Sequence, residues 1–274
     1  MSKRVAFIGG GNMGRAIVGG LISRGHAPGA IIVAEPLEAL RVALARDFGV
    51  NVTMDNAAAV AVADVVVLAV KPQQMKAVVQ PLAGILTTRR PVLLSIAAGI
   101  TTQSLGRWIG AEIPMVRAMP NTPALVGRGA TGLFATPAAT PADRALVESL
   151  LAATGMVAWV EEESLLDAVT ALSGSGPAYF FLLLESLEQA GTRLGLPAEL
   201  ARRLAIETAA GAAELARTAT VDPATLRSQV TSKGGTTERA LQVFMEGGLP
   251  ALVDGALVAA ATRAQELSRE FGDP

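Results

Sequence analysis

The feature that most restricts what this chain can fold into is a glycine cluster set between two kinds of periodicity. Gly9-Gly10-Gly11-Asn12-Met13-Gly14 fits G-x-G-x-x-G, directly follows the strand-like run RVAFI at 4–8, and opens a segment with Met13, Ile17 and Leu21 at helical spacing. A strand that turns through glycines into a helix is the opening unit of an open parallel α/β sheet, and each glycine has its own reason. Gly9 permits the tight turn, Gly11 leaves the backbone bare for a pyrophosphate, and Gly14 lets helix and strand pack closely. Asn12 and Met13 begin the helix, whose free N–H groups face the phosphates. A glycine turn that binds nothing is the alternative, and the strand–helix context argues against it.

The alternation continues through the first half of the chain. Residues 31–34, 64–70, 92–96 and 115–118 read as strands, and 50–53 is strand-like. Leu37, Leu40, Leu44 and Phe48 mark a helix that Gly49 stops, and 73–86 reads as another. The run at 64–70 is nearly all apolar, as a strand covered on both faces should be. This predicts a parallel sheet with helices on both sides. Residues 136–141 read as a loop within it. Past Glu161 the strand-like runs stop, and 164–193, 197–217, 223–230, 237–246 and 250–270 read as helices. Pro197, Pro223 and Pro250 sit where a first helical residue tolerates proline. The expected division is an α/β dinucleotide-binding domain over 1–161 and an all-α domain over 162–274.

Composition removes several functional classes. There is no cysteine, which excludes disulfides, thiolate metal sites and a cysteine nucleophile, and the one histidine, His26, follows Gly25 and reads as a loop residue. A net charge of −1 and a pI near 6.0 imply no broad basic surface for nucleic acid. Mean hydropathy is +0.43 with 51% hydrophobic residues, yet the longest charge-free stretch, 168–184, is interrupted by Gly174, Gly176 and Pro177. No membrane span and no secretory leader are expected, which places the protein in the cytoplasm. Apolar content in excess of what a soluble chain needs predicts a large buried subunit interface.

Candidate site residues lie at strand ends. Glu35 ends the second strand, where an acid accepts ribose hydroxyls and repels a 2′-phosphate, so it tilts the reading toward NAD; a carboxylate pointing away is the alternative. Ala69, Val70, Lys71 and Pro72 close the 64–70 strand on the edge where open α/β sheets bind ligands. Asn121, bracketed by Pro120 and Pro123, offers an amide suited to a carboxamide or ribose, unless the segment is a structural proline turn. Asn56 reads as a cap before an alanine-rich helix. In the helical half, residues 228–238 join two helices through hydroxyls and the pair Gly234-Gly235. Ser232, Gly234, Gly235, Thr236 and Thr237 would form an anion cradle of neutral groups, with a capped turn that binds nothing as the alternative. Gly174, Gly176 and Pro177 cost stability inside a helical pattern, so close packing or a ligand must gain from them. Trp108, Trp159 and Tyr179 read as packed side chains, and Glu161-Glu162-Glu163 as a solvated joint.

FIGGGNMGRAI at 7–17, AVKP at 69–72, RAMPNTPA at 117–124, SGSGPAYFF at 173–181 and QVTSKGGTTERAL at 229–241 together resemble the pyrroline-5-carboxylate reductase family, over essentially the whole chain. The resemblance implies an N-terminal Rossmann domain and an all-α dimerisation domain. It implies reduction of a carboxylate-bearing cyclic imine to L-proline by NADPH or NADH, with NADP the commoner choice. Homodimers joined by intertwined C-terminal helices, assembling further into rings, are implied too. It places the cofactor on Gly9 to Gly14, Asn56 and Ala69 to Pro72, and the substrate carboxylate on Ser232 to Thr237, with the Thr237 hydroxyl near the ring nitrogen. Position 233, usually proline in the family, is Lys233 here, which removes no N–H donor. A β-hydroxyacid dehydrogenase shares the plan but uses a helical lysine, and Lys3, Lys71, Lys76 and Lys233 all lie off the helix after the boundary. A non-catalytic dinucleotide sensor would not need the second cradle.

Overall fold

The structure, a computed structural model, describes residues 2–272. They form two compact units, one of residues up to Ser175 together with those from Ala259 onward, the other Gly176–Val258.

The first unit is built on eight strands: β1 (Val5–Ile8), β2 (Ile31–Ala34), β3 (Asn51–Thr53), β4 (Val65–Leu68), β5 (Val92–Ser95), β6 (Met115–Met119), β7 (Gly129–Ala135) and β8 (Gly155–Trp159). They lie in the order β3-β2-β1-β4-β5-β6-β7-β8. Pairing is parallel from β3 through β6, antiparallel between β6 and β7, and parallel again between β7 and β8. The helices are α1 (Asn12–Ser23), α2 (Glu38–Phe48), α3 (Asn56–Ala61), α4 (Pro72–Val79), α5 (Ala83–Arg89), α6 (Thr102–Ile109), α7 (Pro141–Leu151) and α8 (Leu165–Val169).

Strand alternation divides the core into two layers. Val5, Phe7, Val65 and Val67 face Ile17, Val18 and Leu21 of α1, Leu44 of α2 and Val147 of α7. Ala6, Ile8, Val66 and Leu68 face Val60 of α3, Met75 of α4, Leu86 of α5 and Leu105 of α6. Each fully buried side chain of this size contributes about 1.5–3 kcal/mol, which is why β1 and β4 read as unbroken apolar runs. Chain order reverses at β1, between β2 and β4, and a ligand crevice opens outside the carboxyl ends of strands at such a point.

Several expectations shift. The helix expected over 73–86 is two helices, because Pro81 breaks it in a 3-10 turn at Gln80–Leu82. The cap of α3 is Asp55, whose carboxylate accepts from the Ala58 N–H at 3.0 Å; Asn56 is the first helical residue. The sheet is not wholly parallel, and the sequence pattern missed β7 and β8. Both carry glycines where side chains do not fit. A Cβ on Gly132 would lie 2.7 Å from Val169 of α8, and Gly155, at φ +147°, would place one 2.1 Å from the Gly129 oxygen. The boundary placed at residue 161 marks where strands end, but the first unit runs on to Ser175 because Leu166 of α8 packs fully buried. The chain also returns to it, with Ala264 and Gly272 buried.

The helix expected over 164–193 is broken after α8 by a π-helical turn at Thr170–Gly174, and resumes as α9 (Gly176–Arg193). The second unit adds α10 (Ala198–Thr218), α11 (Pro223–Gln229), α12 (Thr236–Glu246) and the start of α13 (Leu249–Gly272). Pro223 opens α11 as expected, whereas Pro197 precedes α10 as its N-cap and Pro250 is the second residue of α13. Alanines let α9 and α10 approach: a Cβ on Gly191 would already touch that of Ala201 at 3.2 Å. Phe180, Phe181, Leu182, Leu204, Leu215, Phe244 and Leu252 remain exposed on these helices. No single helix among the described residues is long and apolar enough to cross a membrane; α12 and α13 reach that size only together, bent by 51°.

Candidate active site

The glycine loop leaves β1 with its N–H groups committed in sequence. The Gly9 N–H donates to the Ala34 oxygen, and the Ala69 N–H to the Ile8 oxygen, each at 2.8 Å, so the loop and the end of β4 are tied to one edge. Gly9 takes φ +103°, and a Cβ there would lie 2.6 Å from the Ala69 oxygen. A Cβ on Gly14 would lie 2.9 Å from the Gly9 oxygen. Gly11 differs: nothing lies within 4 Å of its Cβ position, and it is the N-cap of α1 with no side-chain cap. The first N–H groups of a helix lack intrahelical partners, and open space over an uncapped start admits an anion. These residues fit a dinucleotide pyrophosphate. Asn12 is exposed and Met13 half-buried at that start, and exposed Lys71 is the N-cap of α4, with Pro72 its first residue.

Glu35 is 6% exposed, so its carboxylate does not point away into solvent. One oxygen accepts from the Gly10 N–H at 2.8 Å and the other from the Leu37 N–H at 3.0 Å. Arg41 donates to the Glu35 and Pro36 carbonyls, each at 2.7 Å. A negative charge is therefore fixed at the end of β2, braced against the glycine loop itself.

Asn121 does not extend a free amide as expected. It is 8% exposed; its Nδ2 donates to the Ser173 oxygen at 3.0 Å and its Oδ1 accepts from the Ala130 N–H at 2.9 Å. It braces β6, β7 and the π-turn. Asn56 borders an open pocket of about 530 Å³ lined by Met54, Asp55, Ala77 and Pro81. Gly174 serves close packing, since a Cβ there would lie 2.5 Å from the Met119 methyl, while nothing lies within 4 Å of the Gly176 Cβ position.

The sequence pattern missed a buried polar cluster. Glu163, taken as a solvated charge, pairs with Arg117 at 3.2 Å and accepts from the Thr102 N–H at 2.8 Å and its hydroxyl at 2.5 Å. Burial raises the neighbouring Asp167 carboxyl above its ordinary value, while the Arg117 charge opposes the rise and Glu163 adds to it. Ser95, at the end of β5, keeps its hydroxyl fully enclosed without a hydrogen-bond partner among the described residues. No residue-type signal marked these; only the fold brings them together. Trp108 is buried against the α3–α6 layer, and Trp159 donates to Glu148 at 2.8 Å. His26 lies in a loop, as expected.

In the second unit the Ser232–Thr237 turn takes shape around Gly234, at φ +74°. The Gly235 N–H donates to the Ser232 oxygen at 3.0 Å, and a Cβ on Gly235 would lie 2.6 Å from the Ser232 hydroxyl. The Gly234 N–H is already engaged by the Glu238 carboxylate at 2.7 Å. Gly235 is the N-cap of α12 without a side-chain cap, and Arg239 makes the first intrahelical bond, at 3.2 Å. The N–H groups of Thr236, Thr237 and Glu238 thus have no intrahelical partner, Thr236 and Thr237 add hydroxyls, and Lys233 is exposed beside them.

Two family models match: "Pyrroline-5-carboxylate reductase dimerisation" over residues 163–267, and "NADP oxidoreductase coenzyme F420-dependent" over 4–99. The pyrroline-5-carboxylate reductase of Pseudomonas aeruginosa is 48% identical over 271 residues, 99% of each chain. That of Vibrio alginolyticus is 44% identical over 270 residues, 98% of this chain and 99% of its own. Among solved structures, a pyrroline-5-carboxylate reductase from Coxiella burnetii superposes with a TM-score of 0.94 at 44% identity, covering 98% of this chain and 99% of its own. The Plasmodium falciparum enzyme, solved with NADP bound, gives 0.86 at 27% identity, covering 97% and 98%. The chain belongs to the pyrroline-5-carboxylate reductase family of NAD(P)-dependent oxidoreductases.

Proposed function

We propose that this chain reduces 1-pyrroline-5-carboxylate to L-proline, the last step of proline biosynthesis, as a cytoplasmic homodimer that assembles further into a ring. The cofactor, NADH or NADPH, supplies a hydride when bound. Residues 1–161 would hold it, through Gly9, Gly11, Asn12, Met13, Gly14, Glu35, Asn56 and Ala69 to Pro72. Residues 162–274 would hold the substrate and a second subunit. The observation that carries the cofactor assignment is the open space over Gly11 at the uncapped start of α1.

A protonated cyclic imine is already a strong hydride acceptor, so the protein must orient and neutralise more than it must exchange protons. The Thr236 and Thr237 N–H groups and the Ser232 hydroxyl hold the substrate carboxylate. The Thr237 hydroxyl holds the ring nitrogen, keeping the imine carbon turned to the hydride. The exposed apolar side chains of α9, α10, α12 and α13 support the dimer, since an unpartnered surface of that kind marks an interface.

The test is oxidation of NADH and of NADPH followed by nicotinamide absorbance, with pyrroline-5-carboxylate added to the purified protein. Turnover is expected with at least one cofactor. Thr237→Val should lower kcat/KM at least tenfold, since one lost hydrogen bond at such a site costs roughly 1.5 kcal/mol or more. Unchanged kinetics in that variant remove Thr237 from the mechanism.

A further inference from the structure

Pro177 has no N–H, so the carbonyl four residues before it, that of Ser173, loses the donor a continuous helix would give it. The structure supplies that donor from elsewhere in the chain: Asn121 Nδ2 reaches the Ser173 oxygen at 3.0 Å. The other end of the same amide accepts from the Ala130 N–H of β7 at 2.9 Å. The Ser173 hydroxyl cannot substitute, because it already donates to the Val169 oxygen at 3.0 Å. Asn121 is 8% exposed and its bond to the Ser173 carbonyl is partly buried, so leaving that carbonyl without a donor is costly. The π-turn it holds is closed by the Ser175 N–H to the Thr170 oxygen at 2.8 Å, and Gly174 seats the turn on Met119 at the end of β6.

We infer that Asn121 is a positioning residue for imine reduction, standing in for the N–H that Pro177 lacks and so fixing the Thr170–Gly174 turn against the carboxyl end of β6. This rests on the reductase reading above. The end of β6 lies on the sheet edge that carries the glycine loop, where ligands of open α/β sheets react, and π-turns recur at functional sites. Asn121 acts on that edge without contacting the phosphates, which Gly11 and the start of α1 face. Its loss should therefore change turnover and leave cofactor affinity intact.

The test is a double-mutant cycle with Asn121→Ala and Pro177→Ala, each variant measured for thermal midpoint, NAD(P)H dissociation constant and steady-state kinetics. Asn121→Ala should lower kcat at least fivefold with the cofactor dissociation constant within twofold of wild type. Adding Pro177→Ala, which restores an N–H at position 177, should recover most of the lost kcat and thermal midpoint. Independent effects of the two substitutions on both quantities would overturn the inference, as would an equal loss of cofactor affinity. If Asn121→Ala does not accumulate folded, recovery of soluble, active enzyme in the double variant supports the inference, and loss in both overturns it. The thermal coupling is read without substrate, so it separates failure of this inference from failure of the reductase reading.

Discussion

Removing Glu163 should destabilise the protein far more than removing an ordinary surface acid. Its carboxylate faces the Arg117 guanidinium at 3.2 Å, with side-chain exposures of 20% and 5%. It also caps the first N–H of α6 through Thr102 at 2.8 Å. Glu163→Ala leaves the buried Arg117 without its paired carboxylate, with Asp167 as its remaining acidic neighbour, and orphans a helix-start donor. Breaking a buried pair from one side costs about 3–5 kcal/mol, and the residual exposure of Glu163 points to about 3. For a chain of this size each kcal/mol moves the thermal midpoint by roughly 2–4 °C, so a fall of about 6–12 °C is expected. Thermal unfolding followed by circular dichroism measures it. The fall should persist at high salt, because buried pairs are screened far less than exposed ones. A shift under about 2 °C would refute the reasoning, since exposed pairs are worth at most about 1 kcal/mol. Glu163→Gln, which keeps an acceptor for Thr102 but loses the charge, should fall between wild type and Glu163→Ala.

Glu35→Gln removes a fixed negative charge from the end of β2 and should raise the NADPH-to-NADH ratio of kcat/KM about fivefold or more, equivalent to ~1 kcal/mol of repulsion from a 2′-phosphate; an unchanged ratio would show that Glu35 only braces the loop. Gly14→Ala sets a methyl 2.9 Å from the Gly9 oxygen, and overpacking of about 1–3 kcal/mol should weaken cofactor binding in a fluorescence titration. The folded state raises the Asp167 carboxyl, so it holds that proton more tightly than the unfolded chain. Stability from this group is present at acid pH and lost as pH rises through the raised value. The difference in thermal midpoint between Asp167→Asn and wild type should therefore be more favourable to the variant at neutral than at acid pH.

The α/β half was legible where one local rule decided the structure. Apolar runs covered on both faces gave β1, β4 and β5 within a residue or two, and Gly49, at φ +67°, stops α2 where the pattern placed its end. β7 and β8 escaped because long-range packing chose their residues. Gly132 passes beneath Val169 and Gly155 lies against Gly129, and a glycine strand has little local signature. The same limit governed the candidate site. The open position at Gly11 follows from a motif whose spacing is itself the mechanism. Asn121 and Glu163 are visible as residue types, but the Ser173 carbonyl and the Thr102 N–H that they bond lie 52 and 61 positions away. Sequence alone gave an amide in a proline loop and a run of acids.

Among the described residues, five of the eight buried polar side chains of the first unit lie in or just after β2, β5 and β6. Glu35 follows β2, Ser95 ends β5, Arg117 lies in β6, Asn121 comes after it, and Thr102 opens the helix after β5. Glu35, Ser95, Thr102 and Asn121 stand toward the edge of the sheet that carries the glycine loop, and Arg117, mid-strand, is tied to Thr102 through Glu163. Burying such groups is unfavourable unless they are bonded, so a fold selected for stability alone would fill these positions with apolar side chains. Four of the five are held to loop or turn backbone, directly or through Glu163, and so fix the segments that face the crevice. Catalysis by orientation requires rigid surroundings, because hydride transfer tolerates little misplacement. The polar residues of this edge supply rigidity that glycine-rich loops lack, and the absence of a strong acid–base pair in the glycine loop and the Ser232–Thr237 turn is consistent with that division of labour.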